Sequence, residues 1–142
     1  MEKEHVNNSE LGLSIIPVSN QKIPTNKWRH YQEIISPKEL WYQHYQSGNT
    51  VGIITGKVSG NLEIIDVDQK NDPTKKIINE LLERIPDELK SRLLIQTTPN
   101  DGIHIIYRCK EAKIDGNQKL SLNTDKSVII ETRGEGGYFC TS

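Results

Sequence analysis

The sequence predicts an α+β fold, a mixed sheet with helices packed on it. Three observations point there. Short β-branched runs and amphipathic helical stretches alternate along the chain. One pair of runs is joined by Asp101-Gly102, the dipeptide of a tight hairpin. Two apolar runs end in acids, one at Asp66 and Asp68 and the other at Glu131, as strands do when they leave a core for its rim.

In chain order, residues 1–10 are polar and are expected to be a flexible lead-in to one domain spanning 11–142. "LSIIPVS" (13–19) predicts a first strand, bounded by Gly12 and Asn20. A loop with Lys22, Pro24 and Trp28 follows. "SPKELWYQHYQ" predicts a helix. Ser36 suits its cap, Pro37 its first position and Glu39 the capping box, with Leu40, Trp41, His44 and Tyr45 along one face. "NTVGIITG" (49–56) and "NLEIIDVD" (61–68) predict two strands. "DPTKKIINELLERI" predicts a second helix, with Asp72 and Pro73 at its start and an apolar stripe of Ile77, Ile78, Leu81, Leu82 and Ile85. "RLLIQT", the turn "TPNDG" and "IHIIYRC" form the hairpin. The stretch 110–126 reads as a polar connector, and "SVIIETR" as the last clear strand. A fresh strand begins near the end, so the domain is expected to be incomplete at its C-terminal side.

Composition narrows the function classes. The 142 residues carry 18 basic and 19 acidic side chains, a net charge of -1, which excludes a strongly basic nucleic-acid glove but not a local basic groove. No apolar run approaches the roughly 20 residues of a membrane span, and the N-terminus lacks the apolar core of a signal peptide. A cytoplasmic protein with two reduced cysteines, Cys109 and Cys140, is expected.

The chemistry concentrates where strands end. Side chains alternate along a strand, so Ile64, Asp66 and Asp68 share one face and Ile65 and Val67 the other. Two carboxylates there form half of a cage for a hard cation, since Mg²⁺ is held by one or two carboxylates plus substrate phosphates. A strand end passing into a solvated loop is the plainer alternative. His104 sits just after the hairpin turn, which fixes its direction, with Ile106 and Arg108 on its face. Beside Arg108 it would suit phosphate oxygens. Glu131 ends its strand as Asp66 does, and Arg133, two residues on, would satisfy it as an ordinary rim carboxylate. In "RGEGGY", Gly134, Gly136 and Gly137 permit close backbone approach to a ligand, or simply make a turn. Arg108, Lys110, Lys113, Lys119, Lys126 and Arg133 give the second half a small cationic excess, and Trp28, Trp41, Tyr42 and Tyr45 are candidates for base stacking or core.

Taken in order, "NTVGIITGKVSGNLEIIDVD", "TTPNDGIHIIYR" and "IIETRGEGGYFCTS" resemble the bifunctional primase-polymerase (prim-pol) domain of the archaeo-eukaryotic primase superfamily. Lys22, Pro24 and Trp28 resemble its N-terminal loop, and the likeness spans about 11–142. It implies a DNA-directed primase or polymerase, a metal-dependent nucleotidyltransferase serving a plasmid, phage or integrated element. By the resemblance, Asp66, Asp68 and Glu131 would hold two Mg²⁺ or Mn²⁺ ions and His104 would contact the triphosphate. Asn49, Thr55, Gly56, Gly136 and Gly137 match further motif positions, and Lys22 and Arg108 would add positive charge near the nucleotide. Partners would be dNTP or NTP, a single-stranded DNA template and a helicase module. The sequence departs from the family in Glu131, where aspartate is usual, and in Asn100-Asp101-Gly102, where a small residue and two glycines are usual. A non-catalytic nucleotide-binding module and a D-x-D nucleotide-sugar transferase are the competing readings.

Overall fold

The computed structural model describes residues 12–68, 74–99, 101–109, 113–122 and 128–141. The α+β class holds. The elements are β1 (Ser14–Pro17), α1 (Lys38–Gln46), β2 (Val51–Ile54), β3 (Leu62–Val67), α2 (Lys76–Arg84), α3 (Asp87–Lys90), β4 (Leu94–Thr97), β5 (Ile103–Arg108), β6 (Gln118–Leu122), β7 (Val128–Arg133) and β8 (Tyr138–Cys140). Where the sequence suggested one sheet, the strands divide between two. One has three strands in the order β1-β2-β8, the other five in the order β4-β5-β3-β7-β6. Among the described residues, every pairing between these strands is antiparallel.

Alternation decides how the layers stack. One face of the five-stranded sheet presents Val67, Ile103 and Ile105, and α2 covers it with Ile77, Ile78, Leu81 and Leu82. The helical stripe expected from sequence is therefore the surface that buries this face. The opposite face presents Leu62 and Ile64, which pack with Phe139 of the smaller sheet. Trp41 of α1 is buried with Ile15 and Val51, and Tyr42 and Tyr45 pack around it, so these three aromatics are core. Asp72 and Pro73, expected at the start of α2, lie outside the described residues.

Serine hydroxyls take up the N–H groups at the start of β1. Ser14 N–H donates to Ser59 Oγ (3.0 Å) and Ile15 N–H to Ser36 Oγ (2.8 Å), while Ser14 Oγ donates to Tyr31 O (2.7 Å). All three serines are buried, and each unmade bond there would cost about 1–3 kcal/mol. The Nε2 of His44 lies 2.9 Å from both Val18 O and Thr50 O, two acceptors, so it carries the proton and pins α1 to the ends of β1 and β2.

The polar connector needs correcting. It contains β6, an edge strand paired with β7 through an irregular register. Gln118, Lys119 and Leu120 are exposed, so the run lacks the apolar alternation that marks a strand with a buried face.

Candidate active site

Strand β3 is central, and its register assembles the site. Asp66 stands opposite His104 of β5 on one side and Glu131 of β7 on the other. Gln96 of β4 stands opposite His104, and Lys119 of β6 opposite Glu131. Directly opposed residues point to the same face. One rung of the sheet thus reads Gln96, His104, Asp66, Glu131, Lys119. The three groups singled out from sequence, distant in the chain, share that face.

Two carboxylates opposed across strands repel, at a cost of roughly 0.2–1 kcal/mol. The rung offsets this with flanking bases. His104 Nε2 lies 3.5 Å from Asp66 Oδ1, and Arg133 Nη2 donates to Glu131 Oε1 at 2.6 Å. The His104 ring also meets Phe139 edge to face, with centroids 5.7 Å apart, so the imidazole is held between an acid and an aromatic wall. The hairpin aims it. Thr98 N–H donates to Gly102 O and Asp101 N–H to Thr98 O, with Asp101 in the left-handed region at φ 62°. Both readings of Glu131 are therefore present: it is on the rung with Asp66, and Arg133 pairs with it.

Gln96, His104 and Asp66 of the rung line a cavity of about 390 Å³. One wall carries Asp66, Asp68, Gln96, His104 and Arg133, and β8 supplies Tyr138, Phe139 and Cys140 from the other sheet. Lys22 closes it from the N-terminal loop. That loop is tied down. The Tyr138 hydroxyl donates to Lys22 O (2.8 Å), and its ring meets Trp28 edge to face at 5.1 Å. Burial pushes the Cys140 thiol upward, with Lys22 and Arg133 opposing the shift. Burial likewise raises the Tyr138 phenol, Cys140 adding to the shift and Arg133 opposing it. Both cysteines are free thiols.

The remaining expected site residues lie elsewhere. Arg108 is at the far end of β5, with Nε donating to Ser59 O (3.2 Å), and is not among the cavity's lining residues. Asn49 follows α1 and is exposed. Thr55, Gly56 and Gly137 form a joint and do not line the cavity: Thr55 N–H donates to Gly137 O (3.0 Å), its hydroxyl to Gly134 O, and Gly56 pairs with Leu62. Gly136 lies in open space at φ +83°. Lys110 and Lys126 lie outside the described residues. Sequence reasoning passed over Gln96, Phe139 and Cys140 as site residues. Gln96 was recoverable from the hairpin register, but the approach of β8 from a second sheet leaves no local signal.

Among the described residues, no three His, Cys, Asp or Glu side chains are arranged as a ready metal site. The donor chemistry nonetheless suits a hard cation. Asp66 and Asp68 are half-buried oxygen donors on the wall, and Glu131 is beside them with its carboxylate held by Arg133.

The antiparallel sheet thus presents two acids and an imidazole on one rung, beside a cavity that Lys22 and Arg133 also line. The family model described as Prim-Pol, bifunctional DNA primase/polymerase, N-terminal, matches residues 7–141, and the chain belongs to that family. It is thus, in general terms, a domain of primase/polymerase-type nucleotidyltransferases, whose ligands are nucleotides and DNA. No curated protein matches it. Among the described residues no helix is long and apolar enough to cross a membrane.

Proposed function

We propose that the domain makes or extends primers on a single-stranded DNA template as a metal-dependent nucleotidyltransferase, in the replication of a plasmid, phage or integrated element. The observation that carries this is the register of Asp66 between His104 and Glu131, with Asp66 and His104 on the cavity wall. Asp66, Asp68 and Glu131 would hold Mg²⁺ or Mn²⁺. When bound, such ions stabilise the attacking and leaving oxygens of an in-line displacement. The protein's own groups do the rest. Phe139 and Asp66 fix the His104 ring so that it meets phosphate oxygens, and Lys22 and Arg133 balance the triphosphate charge. Positioning and electrostatics supply most of the rate in phosphoryl transfer, so a preset wall is what the reaction needs. The protein would work in the cytoplasm, with a helicase module in the same chain or operon.

Primer synthesis by the full-length protein on single-stranded DNA with Mn²⁺ tests this, with dNTP and NTP supplied separately. His104→Gln keeps the ring's approximate bulk but loses its charge-assisted contact. It should raise KM for the nucleotide by about tenfold or more, since such a hydrogen bond is worth roughly 1.5–3 kcal/mol. Unchanged kcat and KM would remove His104 from the phosphate. Mn²⁺-dependent binding of a UDP-sugar in preference to dNTP would replace the proposal with a glycosyl-transfer reading. Nucleotide binding without any product would leave a non-catalytic module.

A further inference from the structure

Arg133 stands out on the cavity wall. Among the described residues it is the one lysine or arginine of the lining that forms an ion pair with an acid, and that acid is Glu131. The geometry is tight, Nη2 to Oε1 at 2.6 Å, and the pair is partly shielded, with side-chain exposures of 36% and 24%. Arg133 lines the cavity, whereas Glu131, two residues earlier on the same strand face, is not among the lining residues. The guanidinium thus holds a carboxylate that a divalent cation would need, while reaching the space a triphosphate would fill. His104 is placed the same way against Asp66, at a looser 3.5 Å.

We infer that Arg133 is the built-in counter-ion of Glu131, displaced by the metal and handed to the triphosphate, so that metal and nucleotide bind cooperatively. This rests on the proposed metal-dependent reading. Without metal, Glu131 restrains the arginine, and nucleotide meets a wall whose strongest cation is already neutralised. When a divalent cation takes Glu131, the guanidinium is released beside the phosphates, where its planar fork suits bidentate contact. Reciprocity then requires nucleotide to tighten metal binding by the same factor that metal tightens nucleotide binding. Lys22 does not share this role, since among the described residues it forms no ion pair with an acid.

The test is a titration of the full-length protein with Mn²⁺, read by electron paramagnetic resonance, with and without a non-hydrolysable dNTP analogue. Wild type should show nucleotide tightening Mn²⁺ by about 5- to 150-fold, the usual span of such coupling. Arg133→Gln should bind Mn²⁺ alone several-fold more tightly than wild type and lose most of that coupling. Glu131→Gln should bind the analogue more tightly than wild type when no metal is present. Equal Mn²⁺ affinity in wild type and Arg133→Gln, with coupling intact, overturns the counter-ion role alone and leaves the metal site standing. Absence of Mn²⁺ binding to wild type, with or without nucleotide, overturns the metal site and the counter-ion role together. Neither loosened packing nor partial unfolding would tighten Mn²⁺ binding, so the increase in Arg133→Gln separates the role from a structural one.

Discussion

Asp66→Asn should reduce primer synthesis by about a thousandfold or more, equivalent to roughly 4 kcal/mol of lost transition-state stabilisation. The substitution changes charge and almost nothing else. Asparagine has the same size, and the backbone of β3 stays paired on both sides, to β5 and β7. What disappears is the anionic oxygen nearest His104 and the central acid of the rung. Stability should move the other way or not at all. Removing one of two opposed carboxylates relieves a repulsion of roughly 0.2–1 kcal/mol, while the loss of a 3.5 Å contact to His104 costs little. Urea unfolding of the variant should therefore match wild type or shift slightly higher. Activity lost at undiminished stability is the mark of a charge placed for chemistry rather than for folding. Primer synthesis within about threefold of wild type, well under 1 kcal/mol, would remove Asp66 from the reaction and with it the proposed function.

Several parts of this arrangement are legible before any coordinates. The face shared by Ile64 and Asp66 follows from strand alternation alone, though Asp68 lies just past the strand's end, and the Asp101-Gly102 turn fixes the hairpin that carries His104. The apolar stripe of α2 follows from helical spacing. In each case the signal is local, because the residues that decide it are within a few positions of one another. Other features are long-range and leave no such trace. Nothing in "NTVGIITG" says that β2 pairs with β1 and β8 instead of joining β3. The strand β6 hides because an exposed edge has no apolar face to repeat. Charge, and a face shared with His104, suggest Arg108 for phosphate oxygens, yet sharing a face over a six-residue strand does not mean sharing an end. Lys22 shows the converse. Its position in the cavity goes with tertiary ties through Tyr138, and from sequence its charge alone points to the nucleotide. The glycines of "RGEGGY" were open to two readings, a ligand cradle or a turn, and packing around them decides what each must do.

Gly134→Ala should destabilise the fold by about 3 kcal/mol or more, the upper range for overpacking against atoms that cannot turn away. A methyl group at this position would come 2.0 Å from the carbonyl oxygen of Asp115 and 2.9 Å from Ile114 Cγ2. The first of these is backbone, so relief requires moving the chain. That chain is clasped on every side. Gly134 N–H donates to Asn117 Oδ1 (3.0 Å), Gly134 O accepts the Thr55 hydroxyl, and Glu135 N–H donates to Asp115 O (2.8 Å). A shift large enough to admit the methyl group strains all three, each worth roughly 1 kcal/mol. It would also disturb the path from β7 into β8, which carries Arg133 on one side and Phe139 on the other. Gly136→Ala is the control. Its methyl group would meet open space, leaving only the cost of an L-residue at φ +83°, about 1–2 kcal/mol. Thermal or urea unfolding should rank wild type above Gly136→Ala and both well above Gly134→Ala. If the motif served chiefly as a cradle for phosphate, Gly136→Ala would lose nucleotide affinity at near-normal stability and Gly134→Ala would unfold no more easily than it. The observed clasp requires the opposite order. The first glycine is what lets the chain between β7 and β8 pass against the Asp115 carbonyl, where no side chain fits.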